Sequence, residues 1–198
     1  MCGREELLIE KIPDNRPKMK LIRGIYPLEI PHRSVRIVAA PKKNQPFPVD
    51  AEVFEEDTFL VLSADTAVRE THEPLIRVMT KVIETRPETP GSILVRGKRP
   101  LRILAIVHDL NEEPSWKIEW VQSALRQIFK EVESRGLKSL ALPFLGTMHG
   151  SLEKRGFVML LREALALKEF KYLKHLWLIV PTGTDREILK LLETGSHN

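Results

Sequence analysis

Two glycines four residues apart close an apolar run in Leu140-Ala141-Leu142-Pro143-Phe144-Leu145-Gly146-Thr147-Met148-His149-Gly150-Ser151, and a helical pattern follows at once. Glycine lets the backbone approach a ligand closely, and the N–H groups at a helix start form a ready anion site. In open α/β sheets ligands sit at the carboxyl ends of strands, where this loop falls. The chemistry on offer is phosphate binding, with Gly146, Thr147, Met148, His149 and Gly150 as the gripping residues. An ordinary strand-to-helix turn with a glycine at each end fits the same spacing. The loop is not a P-loop, because the lysine and hydroxyl residue of that motif are missing.

Other reactive side chains give weaker signals. His149 could bind an anion or move a proton, since imidazole titrates near neutrality, or stand exposed without a role. His108 and Asp109 could orient each other at a strand end. His72, His175 and His197 have no partner that the sequence names. His72-Glu73 is followed by proline and lacks a second histidine at helical spacing, and Cys2 is the sole cysteine, so no metal site is expected. Neither a G-x-S-x-G elbow nor a G-x-G-x-x-G fingerprint is present, which argues against a hydrolase of that fold and a dinucleotide dehydrogenase. Arg96, Lys98, Arg99 and Arg102 cluster in one turn that could meet phosphates or simply be solvated. Trp116 and Trp120, one helical turn apart, read as packing rather than as a base-stacking platform.

These residues need elements to hold them. Strand-like runs lie at Val35–Ala40, Thr58–Leu62, Ser92–Val95, Leu101–Val107, Leu137–Phe144 and Leu173–Val180. Several are almost wholly apolar, as strands covered on both faces are. Between Ser115 and Arg135, apolar residues from Trp120 to Val132 recur at three- and four-residue steps, and Gly136 sits where a C-cap belongs. A second helix is expected from about Ser151, with Phe157, Leu160, Leu161, Ala164 and Leu165 on one face. A third opens at Thr184, capped with Glu187, and a weaker one runs from Pro74 to Glu84. Strands alternating with helices predict a three-layer α/β/α sandwich with a mixed, mostly parallel sheet.

The chain has 198 residues, 42% hydrophobic and 29% charged, which excludes wholesale disorder and a coiled coil. One domain of this length buries roughly 70% of its unfolded surface, enough for a core without metal or disulfide. Seven of the 14 prolines fall within the first 50 residues. Residues 1–34 therefore read as a proline-rich basic arm, and residues 35–198 as the domain. The arm's interspersed apolar residues make it a candidate oligomer contact. A net charge of +4 is too small to argue for nucleic acid. No apolar run approaches the ~20 residues that span a bilayer. The first thirty residues lack a signal peptide's apolar stretch, and a cytoplasmic protein is expected.

The order of elements resembles the macro domain, the ADP-ribose-binding fold. In that family a strand similar to residues 139–151 ends in the loop that wraps the ligand's diphosphate and distal ribose. Gly91 to Asp109 is similar to the family's strand–loop–strand ending in histidine, with His108 in that place. The closing strand Leu173 to Pro181 also fits, and the likeness spans roughly residues 50–193. After its second strand the family carries an asparagine-alanine-alanine-asparagine motif and a glycine-rich loop. The matching place here reads Leu62-Ser63-Ala64-Asp65-Thr66-Ala67, without the glycines. The resemblance implies an ADP-ribose-like nucleotide as partner, no cofactor, and Ser63, Ala64 and Asp65 as the second wall of the site. Asp50 or Asp57 would read adenine. If a bond is cleaved, it is an ADP-ribosyl or phosphate bond, with Asp65 or His149 orienting water. The altered first loop supports another reading, a module without ligand that works through protein contacts.

Overall fold

The computed structural model describes residues 27–62, 86–181 and 184–193. Seven strands form one sheet: β1 (Leu28–His32), β2 (Val35–Ala40), β3 (Ala51–Asp57), β4 (Ile93–Arg96), β5 (Leu101–His108), β6 (Ser139–Pro143) and β7 (His175–Ile179). Their order is β1-β2-β7-β6-β3-β5-β4. The five inner strands run parallel, and β1 and β4 close the edges antiparallel. Three helices follow the later strands: α1 (Ile118–Ser134), α2 (Lys154–Ala166) and α3 (Arg186–Lys190). This is the expected mixed, mostly parallel α/β/α arrangement. No helix among the described residues is long and apolar enough to cross a membrane.

Periodicity placed α1 well. Val121, Ala124, Leu125, Ile128, Phe129 and Val132 are buried, as a stripe at helical spacing must be when it faces a sheet. The helix ends in a Schellman motif. Gly136 has φ +65°, its N–H donates to Glu133 O at 3.1 Å, and the Leu137 N–H donates to Val132 O at 3.0 Å. The Glu133 carboxylate reaches across to accept the N–H groups of Lys171, Tyr172 and Leu173 at 2.9, 3.0 and 2.9 Å. This ties α1 to the segment that leads into β7. Burial acts to raise the pKa of Glu133, but these three donors and nearby Lys168 hold it below its ordinary value.

Several expectations are corrected. The strand expected at Thr58–Leu62 is β3, seven residues upstream, and the chain turns at Thr58–Leu60, where Leu60 has φ +59°. Residues 28–32, assigned to the arm by their prolines, form the edge strand β1, because Ile30 and His32 alternate inward while Pro31 faces outward. Helix α2 begins at Lys154 rather than Ser151. The cap of α3 is Asp185, which accepts the Glu187 N–H at 3.0 Å, while the Thr184 hydroxyl donates to Pro181 O at 2.7 Å. The helix expected at Pro74–Glu84 and most of the arm lie outside the described residues.

His32 is 1% exposed, with Nδ1 3.3 Å from Leu192 O and no hydrogen-bond partner for Nε2 among the described residues. Burial pushes its pKa below the ordinary 6.5; the Leu192 carbonyl opposes this and Arg33 reinforces it. The unfolded chain thus takes up a proton that the native state resists, so His32 favours folding above pH 6.5 and that contribution is lost as pH falls through the lower native value. Urea unfolding midpoints should fall across this window in the wild type and fall less in His32→Leu; parallel curves would remove His32 as the cause.

Candidate functional site

The carboxyl ends of β3, β5 and β6 meet on one side of the sheet. There the strand that precedes the first crossover is β3, and its last residues are Phe54-Glu55-Glu56-Asp57. The segment Leu62–Ala67, matched from sequence to the family's motif, begins five residues beyond this strand end. Ser63, Ala64 and Asp65 lie outside the described residues.

Asp57 is fully buried and works as a backbone cap. Its carboxylate accepts the N–H groups of Phe59 at 2.6 Å, Val61 at 2.9 Å and Leu62 at 2.8 Å, which bends the chain out of the sheet. Asp50 sits at the other end of β3. It accepts the N–H groups of Lys138 at 2.8 Å and Ser139 at 3.1 Å and the Ser139 hydroxyl at 3.2 Å. Burial acts to raise its pKa, but these bonds and Arg99 hold it low. Asp50 is thus at the amino ends of the parallel strands, away from the crevice, and the Asp57 carboxylate is taken by three amides. Neither is free to read a base at the strand ends.

The glycine loop joins β6 to α2. Gly146 has φ +75°, a conformation open to glycine and strained for other residues. Gly150 is fixed by contact: an added Cβ would lie 2.5 Å from Gly146 O and 2.8 Å from Trp116 Cδ1. Trp116 precedes α1 and bridges back to His108, and its indole N–H donates to Ser151 Oγ at 3.1 Å. The tryptophan therefore braces the loop and does not share a helix face with Trp120. The Leu152 N–H donates to Gly146 O at 3.1 Å, and the Thr147 hydroxyl donates to Phe144 O at 2.9 Å. The backbone N–H groups of Met148, His149, Gly150 and Ser151 make no hydrogen bond among the described residues. Glu153 caps α2 without a side-chain hydrogen bond, and Lys154 and Arg155 open the helix with no acidic residue in its first turn.

Beneath the loop lies a pair that the sequence did not single out. Glu55 Oε2 accepts the Gly146 N–H at 2.9 Å, and Glu55 Oε1 lies 2.5 Å from His108 Nε2. The two side chains are 9% and 1% exposed. The ring of His149 meets His108 edge-on at 6.2 Å. His149 itself is exposed, and Met148 is 73% exposed, so it points away from the crevice floor instead of filling it. Asp109 turns aside to accept the Asn111 N–H at 3.0 Å. No group of three or more His, Cys, Asp or Glu among the described residues could hold a metal ion. The basic turn of Arg96, Lys98, Arg99 and Arg102 joins β4 to the start of β5, at the far end of the sheet. Arg102 stacks over Phe54 at 4.6 Å. A cleft of about 430 Å³ lined by Glu29, Arg33, Arg36 and Lys174 also lies at that end.

No family model matches the sequence, and no curated protein sequence matches it. Solved structures do. The macrodomain of Oceanobacillus iheyensis with ADP superposes with a TM-score of 0.62 at 11% identity, covering 85% of this chain and 95% of that one. The macrodomain of Thermus aquaticus DarG gives 0.52 at 20% identity, covering 73% and 98%. The macro domain of ganglioside induced differentiation associated protein 2 gives 0.57 at 10% identity, covering 81% and 86%. A variant of the Oceanobacillus macrodomain with ADPR matches equally well, at a TM-score of 0.62 and 11% identity. Across such low identity the shared feature is the path of the backbone, and by that path this chain has the macrodomain fold.

Proposed function

We propose that this protein binds an ADP-ribose-type nucleotide at the carboxyl ends of β3, β5 and β6, with residues 146–151 and the first turn of α2 taking the diphosphate. The observation that carries this reading is the run of four backbone N–H groups, Met148 to Ser151, that find no acceptor among the described residues, in a loop that leads into a 13-residue helix. Successive amides just before a helix N-terminus favour an anion, and Lys154 and Arg155 add positive charge beside them. Neighbours of the same fold are solved with ADP and with ADPR. The Ser63–Asp65 segment remains the proposed second wall.

Calorimetric titration at low salt tests the reading. ADP-ribose should bind in the micromolar range and AMP more weakly, because AMP lacks the second phosphate. Absence of heat and of thermal stabilisation at millimolar ADP-ribose would overturn it. That outcome would favour a module that acts through protein contacts, for which the exposed Val61, Leu110, Ile118 and Met148 at this end of the sheet supply an apolar rim.

A further inference from the structure

The net charge of +4 is small as a sum, but its placement is uneven. At the amino ends of the parallel strands, opposite the glycine loop, basic residues form a row along the edge of the sheet. In the strand order from β2 to β4 it runs from Arg33 before β2 to Lys174 before β7 and Lys138 before β6. It continues with Lys98 and Arg99 before β5 and ends at Arg96 on β4. All six are exposed. Neighbouring strands lie about 4.8 Å apart, so the row spans roughly 24 Å. Most acids at this end already have partners. Glu29 pairs with Arg36, and Glu131 with Arg135 at 2.6 Å. Asp50, beside Arg99, accepts the amides of Lys138 and Ser139 and the Ser139 hydroxyl. Glu52 lies 3.8 Å from Lys42, and Glu133 is buried beneath three amides. Glu169 is exposed, next to Lys168 in the chain. Among the described residues, no carboxylate lies within ion-pair distance of any of the six cations. Tyr172, two residues before Lys174, is 40% exposed, with Lys171 Nζ 5.0 Å from the centre of its ring.

We propose that the amino edge of the sheet binds single-stranded nucleic acid, with the row of cations meeting successive backbone phosphates and Tyr172 stacking on a base. This is a second site, at the other end of the sheet from the nucleotide crevice, and it does not depend on what that crevice binds. The charge along the row is uncompensated, so a phosphodiester chain laid on it releases its own counterions and gains affinity without base contacts. The row is one residue deep. It matches the single file of phosphates on one strand, where a duplex presents two files across a groove. An exposed aromatic ring beside the row adds stacking that any base can use. The cleft of about 430 Å³ lined by Arg33, Arg36 and Lys174 lies at the β2 end of the row, close to Tyr172 in the chain, and gives the strand a place to enter.

The experiment is fluorescence anisotropy of labelled oligothymidylate and oligouridylate, about 16 nucleotides long, titrated with the full chain. Binding of either strand supports the row and says which sugar it accepts. Between about 50 and 200 mM salt, log affinity should fall against log salt with a slope of about −3, the release from about four phosphates. The double variant Lys138→Ala/Lys174→Ala should bind at least about tenfold more weakly at low salt, with a slope shallower by about 1.4. Tyr172→Ala should bind about tenfold more weakly with the slope unchanged, because stacking releases no counterions. Both variants should keep the wild-type melting temperature and ADP-ribose affinity, which separates this edge from the crevice. Should the double variant fail to fold, Lys98→Ala on the exposed turn carries the same test, with a slope shallower by about 0.7. The proposal is overturned by no binding to either strand, by an affinity indifferent to salt, or by lysine variants that bind like wild type. Tighter binding to a duplex, or binding to vesicles of anionic lipid with none to the oligonucleotides, also overturns it.

Discussion

Replacing Gly150 with alanine should lower the melting temperature by roughly 4–8 °C and weaken ADP-ribose binding at least about tenfold, the effect of about 2 kcal/mol of overpacking in a domain of this size. The added Cβ would lie 2.5 Å from Gly146 O and 2.8 Å from Trp116 Cδ1. Neither neighbour can step aside cheaply. Gly146 O accepts the Leu152 N–H that turns the chain towards α2, and the Trp116 indole is held by Ser151. Moving either one disperses the amides that the phosphate reading depends on. Met148, in the same loop but 73% exposed, is the control: Met148→Ala should change stability by no more than about 0.5 kcal/mol. Thermal unfolding of both variants, followed by calorimetry with ADP-ribose, checks the pair. A Gly150→Ala protein that melts and binds like wild type would mean that the loop does not take this path.

Asp57→Ala should be the most damaging single change near the site. It strips a fully buried carboxylate from three backbone N–H groups at 2.6, 2.9 and 2.8 Å. Each donor left without a partner costs free energy unless water reaches it. Val61 is 46% exposed, so part of the segment can rehydrate. A net loss of about 3 kcal/mol follows, or roughly 6–12 °C in melting temperature. Asp57→Asn should fall between the two, because one oxygen still accepts while the amide nitrogen faces donors. Nucleotide affinity should fall in parallel, since residues 58–62 leave the crevice from this cap. Chemical denaturation measures the stability change. A loss below about 1 kcal/mol would show that something other than the carboxylate holds the turn.

What could be read from the sequence followed hydrophobic periodicity. Helix α1, its glycine cap at Gly136 and the apolar strands β5, β6 and β7 appear where the pattern puts them, because burial against a sheet imposes those spacings. Strand β3 was hidden. Glu52, Glu55, Glu56 and Asp57 make Ala51–Asp57 look like a solvated run. Yet the carboxylates of Glu55, Glu56 and Asp57 bond to histidine and backbone groups inside the fold. The next apolar stretch, Thr58–Leu62, drew the strand assignment downstream, where the chain in fact turns. The glycine loop was legible, since strand, glycines and helix are contiguous. The Glu55–His108 contact was not, because it joins residues 53 apart across neighbouring parallel strands. Trp116 packs, as its pairing with Trp120 suggests, but from outside the helix, which begins only at Ile118.

If the amides between Gly146 and the start of α2 grip a diphosphate, the amide chemical shifts of isotope-labelled protein titrated with ADP-ribose will report it residue by residue. Saturable shifts are expected at Met148, His149, Gly150 and Ser151 and in the first turn of α2, with smaller changes from AMP. Shifts confined to the Arg33, Arg36 and Lys174 cleft at the opposite end of the sheet, or no shifts at all, would contradict it.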